Sequence, residues 1–378
     1  MPSSKASVNQ ALIDLKAASP TSASQLSVLS KANQFYIYIN QQLIPWDIYE
    51  PNSENRGFVR YFSQALQIVD QQVQGLTFYV TMTEMHSLPS YGDHVVVLIL
   101  GDEFYRVPKY CHKVGAVFKC YGTHQIRQQL LNCLSSQPFY LKFALISQSL
   151  KNLTYRLPLL LNYQFQKLVT ILSGKGNVTL IHDIPPGYFN SEDLPVEPIA
   201  SRRHDVFFDG SISHDQYSTW SLKYWMRTPK SFARGEMIKN LKKTQAHHPQ
   251  LKIELATNFK FAAPDQTTEQ SIYSQNMMQT KICCVPRGTT VETYRFFEAM
   301  RYGCIIITES LPSCWFYQGA PVVQLKNWDE LEEVIQNLLQ DPALVQELHQ
   351  QTLDWWAKKC SEISCGQYIA ENVKSMVV

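Results

Sequence analysis

Short apolar runs alternate with stretches of helical spacing along most of this chain. In the first half, residues 35–39, 77–82, 95–100, 116–120 and 178–181 read as strands, being short and rich in Val, Ile, Phe and Tyr. Between them, 58–72 and 124–133 carry apolar positions at helical intervals. The stretch 139–172 is apolar, and its mixture of Leu, Tyr and Gln settles on neither helix nor strand. Strands separated by helices are the signature of parallel sheets covered on both faces.

The alternation stops at residues 184–197, Ile-Pro-Pro-Gly-Tyr-Phe-Asn-Ser-Glu-Asp-Leu-Pro-Val-Glu, which are dense in turn formers. It resumes beyond the charged group Arg202, Arg203, His204 and Asp205. Strands are expected at 206–208, 252–256, 282–285, 304–308 and 321–325. Helices are expected at 232–244, 270–279, 290–302, 328–339, 343–358 and 362–374. The reading is an α/β chain of two facing Rossmann-like domains with C-terminal helices. A mobile leader at 1–31 would precede a first domain at 32–190. A second domain would span 191–355, and residues 356–378 would return to the first, with a hinge near 187–204.

Composition narrows the class. A chain of 378 residues with 45% hydrophobic content can bury a core in each of two ordinary domains. Its 34 Lys and Arg against 32 Asp and Glu leave +2, which argues against a nucleic-acid binder relying on a broad basic field. A local basic pocket for phosphate stays open. No uncharged apolar run reaches the roughly 18 residues of a membrane-spanning helix, and the leader lacks the compact apolar block of a signal peptide. Nine scattered cysteines fit reduced thiols, and no Cys-x-x-Cys pair suggests zinc. The expectation is a cytoplasmic protein without a metal site.

Residues 281–308 carry the richest chemistry, read as strand, tight loop, helix and strand. A loop entering a helix offers free backbone N–H groups and the positive end of the helix dipole, which suits a diphosphate. Gly288 permits close backbone approach. Thr289, Thr290 and Thr293 add hydroxyls, and Arg287 can make a bidentate contact to phosphate. Arg295 and Glu298 lie one turn apart. Glu298 could accept from both hydroxyls of a ribose, or the two could simply pair on a solvated helix. So many donors at one loop mouth favour the binding reading.

The motifs Pro286-Arg287-Gly288, Thr293-Tyr294-Arg295-Phe296-Phe297-Glu298-Ala299 and Gly303-Cys304-Ile305 resemble the C-terminal signature of exostosin-type glycosyltransferases. The resemblance is specific across about 30 residues and implies a GT-B fold, an inverting mechanism and a nucleotide-diphosphate sugar, UDP- or GDP-linked, as donor. It also implies that Arg287 and Arg295 face the diphosphate and Glu298 the ribose. Gly210, in the turn Asp209-Gly210-Ser211, and Arg234, in the 232–244 helix, occupy further donor-facing positions of that family. Without an anchor segment, the chain is similar to a bacterial soluble member. Retaining enzymes of this fold place a glutamate where Thr290 stands here. No Asp-x-Asp is present, so no metal or other cofactor is expected.

An inverting transfer needs a base for the acceptor hydroxyl, on a glycan or a small molecule. Asp102 and then Glu103, at the end of the 95–100 strand, are the candidates, with Glu84, His86 and His182 behind them. Asp102 could instead cap a helix, and Glu103 could pair with Arg106. Two other readings fit the same scaffold: a non-catalytic module that binds a nucleotide sugar or glycan, and a nucleotide-sugar epimerase.

Overall fold

The computed structural model describes residues 32–39, 41–50, 57–83, 85–103, 106–122, 139–173, 179–190, 192–211, 228–257 and 266–376. The expected leader and the 124–133 helix lie outside the described residues. Asn33–Val378 form one compact unit that contains both sheets.

The first sheet comprises β1 (Gln34–Ile39), β2 (Gln42–Pro45), β3 (Thr77–Thr81), β4 (Gly92–Ile99), β5 (Val114–Lys119) and β6 (Leu180–Asp183). They lie in the order β2-β1-β3-β4-β5-β6, antiparallel at β1–β2 and parallel elsewhere. All five residues of β3 are buried, as a strand covered on both faces must be. One face is covered by α1 (Gly57–Gln72), through Phe58, Phe62, Leu66 and Val69. The other receives Leu159, Leu160 and Tyr163 of α2 (Phe139–Ser173).

The second sheet comprises β7 (His204–Asp209), β8 (Ile253–Ala256), β9 (Thr280–Val285), β10 (Ile305–Thr308) and β11 (Val323–Gln324). All are parallel, in the order β11-β10-β9-β7-β8. Helices α3 (Pro229–His247) and α6 (Leu331–Gln340) build the core on one face. On the other lie α4 (Gln266–Met278) and α5 (Tyr294–Arg301). Helix α7 (Pro342–Trp355) follows, and α8 (Glu362–Val373) adds Cys365, Ile369, Ala370 and Val373 to the core of the first sheet. The fold is α/β, two Rossmann-like sheets that are parallel except at β1–β2, with C-terminal helices, as read from the sequence.

The first part of the proline-rich break, residues 184–188, is a buried crossover. Ile184 and Tyr188 are fully enclosed, and Gly187 turns at φ +68° with its Cα against the Tyr61 ring, where a Cβ would collide. Arg202 stitches the far end down, donating to the carbonyls of Thr280 at 2.7 Å, Tyr302 at 2.5 Å and Glu197 at 3.0 Å.

Candidate active site

In the second sheet the chain passes from β7 to β8 on one side, then crosses to β9, β10 and β11 on the other. In open parallel sheets, ligands gather outside the carboxyl ends of strands at such a switch point. Here those ends are Asp209-Gly210-Ser211 after β7 and Pro286-Arg287-Gly288 after β9.

Three arginines converge on these ends. The side chain of Thr228 caps α3 by accepting from the Ser231 N–H, and Pro229 opens its first turn. That start points Arg234 at the end of β7, where it donates to the Ser211 carbonyl at 2.6 Å and hydroxyl at 3.2 Å. From α5, Arg295 lies over the Phe208 ring at 4.6 Å and donates to the Asp209 carbonyl. Gly210 makes this possible, because a Cβ there would run into the Arg295 guanidinium. Arg287 enters from the β9 loop, also buried.

The Nε of all three is buried without a hydrogen-bond partner among the described residues. No ion pair among the described residues joins them, or the half-buried Lys230, to a carboxylate. Burial, and then the charge of Arg295, push the Arg234 pKa down to about 9. Burial also lowers Lys230, with Arg234 and Arg295 adding to it and Glu103 opposing. A guanidinium remains charged at neutral pH, so these shifts register burial of the cations first and their crowding second. Arg287 differs, because its charge counters the rise that burial imposes on Glu309, whose carboxylate also accepts from Trp328 at 2.8 Å. The surplus of positive charge therefore falls on Arg234, Arg295 and Lys230.

The β9–α5 loop supplies the rest of the donor-side candidates. Thr290 donates to the Glu292 carbonyl at 3.0 Å, Thr289 is half-buried, and the buried Thr293 hydroxyl lacks a partner among the described residues. Thr293 begins α5 without a side-chain cap. A Cβ on Gly288 would meet the Thr293 methyl at 3.4 Å, an ordinary contact, so protein packing alone does not require glycine there.

Glu298 stands apart from this group and pairs with neither Arg295 nor open space. Its Oε1 accepts from the backbone N–H of Phe189 at 2.9 Å and Asn190 at 2.7 Å, and its Oε2 from Tyr273 at 2.7 Å. The carboxylate fastens the buried crossover to α5, which leaves it poorly placed for the ribose role expected of it.

The first sheet meets this region with the ends of β4, β5 and β6. Tyr121, held at φ +60°, is hydrogen-bonded to Tyr294 at the start of α5. The Asp183 carbonyl accepts from Trp315 at 2.8 Å. Glu103 lies within electrostatic reach of Lys230, Arg234, Tyr121 and Tyr294.

Asp102, its neighbour, is occupied. Its Oδ2 accepts from Lys119 at 2.6 Å and from the Arg106 N–H at 2.8 Å, and its Oδ1 from the Arg106 guanidinium at 3.0 Å. Burial raises its pKa, but Lys119 and Arg106 outweigh that and hold it below the usual carboxylate range. Such a carboxylate is a poor proton acceptor. The first choice of base therefore gives way to Glu103. The expected Glu103–Arg106 pair is replaced by Asp102–Arg106. His182 is stacked on Phe118 at 5.0 Å, His86 is exposed, and Glu84 lies outside the described residues.

The sequence reading missed Lys230, Tyr121 and Tyr294. Thr228-Pro229 is a helix-start signal that would have begun α3 early enough to include Lys230. Nothing local marks Tyr121, a non-glycine residue in a left-handed turn.

Residues 208–365 match the family model of the RXYLT1 C-terminal domain, a stretch that contains every donor-side residue named above. No curated protein matches the chain. Among solved structures, a GtfA/B complex is similar at 10% identity and TM-score 0.38, over 83% of this chain and 60% of that one. The chain thus spans about 60% of that relative's length. An α-glucosyltransferase in complex with UDP and a 13-mer DNA is similar at 11% identity and TM-score 0.34, over 85% of this chain and 96% of that one.

Proposed function

We propose that the chain transfers a sugar from a UDP- or GDP-linked donor to a hydroxyl of a glycan or small-molecule acceptor, with inversion at the anomeric carbon. The observation that carries this reading is the group of buried, uncompensated cations at the switch point of the second sheet. Among the described residues, Arg234 and Arg295 keep a buried Nε–H without a partner, and with Lys230 they form a cluster that no ion pair joins to a carboxylate; a diphosphate supplies both deficits. Gly210, Gly288, Thr289, Thr290 and Thr293 flank that anion, and Arg287 stands behind the loop.

The chemistry divides between the halves. Positive charge fixed in advance stabilises the departing diphosphate without a metal being required for that step. Glu103 takes the proton of the acceptor hydroxyl as the new glycosidic bond forms. Its electrostatic proximity to Lys230 and Arg234 supports a position across the gap from the leaving group. Thr290, where a retaining enzyme carries its glutamate, supports inversion.

The test is release of UDP or GDP from nucleotide sugars in the presence of candidate acceptors, with the product anomer read by NMR. Acceptor-dependent release with an inverted linkage is expected. An altered sugar formed without any acceptor would make the protein an epimerase, and failure to bind any nucleotide sugar would remove the reading altogether.

A further inference from the structure

Helix α2 buries one face and leaves another open. On the inner side Leu159, Leu160 and Tyr163 pack beside Ile181, and the Tyr163 hydroxyl donates to the Thr179 carbonyl at 3.0 Å. On the outer side Leu150, Leu157, Leu161, Phe165, Leu168 and Leu172 are exposed, Phe165 by 62% and Leu172 by 76%. They follow one another at intervals of three, four and seven residues, so they form one stripe along the helix. A single exposed leucine needs no explanation, but a continuous apolar row marks an interaction surface.

Charge and geometry identify the occupant. Residues 139–173 contain Lys142, Lys151, Arg156 and Lys167 and not one Asp or Glu. The turn Cys111–Lys113 contacts the helix and adds exposed Lys113, with exposed Lys109 just before it. A second copy docked along the stripe would set these cations against the same cations, with no acid on the helix to answer them. Pro158, inside the helix, also interrupts the regular hydrogen bonding that a two-stranded coil relies on. An anionic bilayer satisfies both features, since the apolar stripe enters the acyl boundary and basic side chains reach headgroup phosphates.

We propose that α2 is a membrane-surface anchor, lying in the plane of an anionic bilayer with its outer stripe immersed. The helix does not cross the bilayer, because no described helix is long and apolar enough to do so. This inference does not rest on the donor-site reading.

Co-sedimentation of the full chain with phosphatidylcholine vesicles, with and without phosphatidylglycerol, tests it. Binding should be at least about tenfold tighter to the anionic vesicles and should weaken as salt is raised. The double variant Leu161→Glu, Phe165→Glu should lose vesicle binding while keeping the wild-type melting temperature. Should that variant fold poorly, Lys109→Glu, Lys167→Glu should erase the preference for anionic vesicles. Absence of wild-type binding to either vesicle overturns the proposal, as does undiminished binding by the Leu161→Glu, Phe165→Glu protein. A dimer seen by light scattering, dissolved by that variant in a protein that ignores vesicles, would assign the stripe to a second copy instead.

Discussion

Asp102 and Glu103 are neighbours in sequence and opposites in environment. The sequence shows two acids at the end of a strand, and nothing local says which one faces inward. That choice is made by Lys119, fully buried 17 positions away on the next strand. Asp102→Asn should therefore act on stability, because it removes the carboxylate charge facing the buried Lys119, at a cost of about 3 to 5 kcal/mol. Thermal denaturation should show the loss, while protein that remains folded keeps its turnover. Because the folded state holds Asp102 below its unfolded pKa of about 3.9, its ion pair contributes fully above that value. The contribution fades as pH falls through the folded pKa, and the Asn variant should lack this part of the acid sensitivity. Glu103→Gln should do the reverse, leaving stability within about 0.5 kcal/mol and lowering turnover by roughly a hundredfold or more. Swapped outcomes would return the base to Asp102. On the donor side, Arg234→Gln and Arg295→Gln should each weaken nucleotide-diphosphate binding by about 1.5 to 3 kcal/mol, the worth of a charge-assisted contact. Isothermal titration showing unchanged affinity in both would dismiss the cation cluster as the donor site.

Helix α5 shows what was legible and what was not. Its loop, its threonines and its arginines were readable because they act within a few residues of one another. The expected helix at 290–302 begins later, at Tyr294, since the threonine-rich turn stays open as loop. The partners of Glu298 were invisible because Phe189 and Asn190 lie 109 and 108 positions away. Strand β2 escaped notice because it is a four-residue, largely exposed edge strand ending in proline. Helix α2 was undecidable because it is apolar on both its buried and its open face, which blurs the helical period. Glu298→Ala should orphan two backbone donors and the Tyr273 hydroxyl, costing about 2 to 4 kcal/mol while nucleotide affinity of the folded protein holds. A large loss of affinity at wild-type stability would restore Glu298 to the ribose. After α5 the chain turns at Gly303, φ +67°, beneath the ring of His349 on α7, whose Nδ1 meets the Gly303 carbonyl at 2.6 Å. Burial lowers the pKa of His349, so the folded state keeps it neutral where the unfolded chain would take a proton. Its contribution is complete above about pH 6.5 and declines as pH falls toward the folded pKa. Melting temperatures at about pH 7.5 and 5.5 should differ more in the wild type than in His349→Gln, and an equal difference would exclude His349 as a source.

The contacts that join the two sheets lead us to expect one cooperative unit. Tyr61 of α1 donates to the Cys360 carbonyl at 2.7 Å, and Trp315 donates to that of Asp183 at 2.8 Å. The Tyr188 ring sits between Arg60, at 5.0 Å from the first half, and Arg301, at 4.3 Å from the second. Helix α8 belongs by sequence to the end of the chain and by packing to the first core. Separating the halves would expose these side chains and break the bonds of the crossover, which Arg202 and Glu298 pin to the second sheet. Chains of this length commonly unfold in stages, domain by domain. Here a single calorimetric transition is expected for residues 33–378, with calorimetric and van't Hoff enthalpies in agreement. A nucleotide diphosphate bound at the second sheet should then stabilise the first sheet equally, since the two melt together. At a hundredfold excess over Kd the gain should be about 2.7 kcal/mol, appearing as one upward shift of the whole transition. Two resolved transitions, with only the later elements protected by nucleotide, would show that the crossover does not couple the halves, and would place the donor site within a second domain that folds by itself.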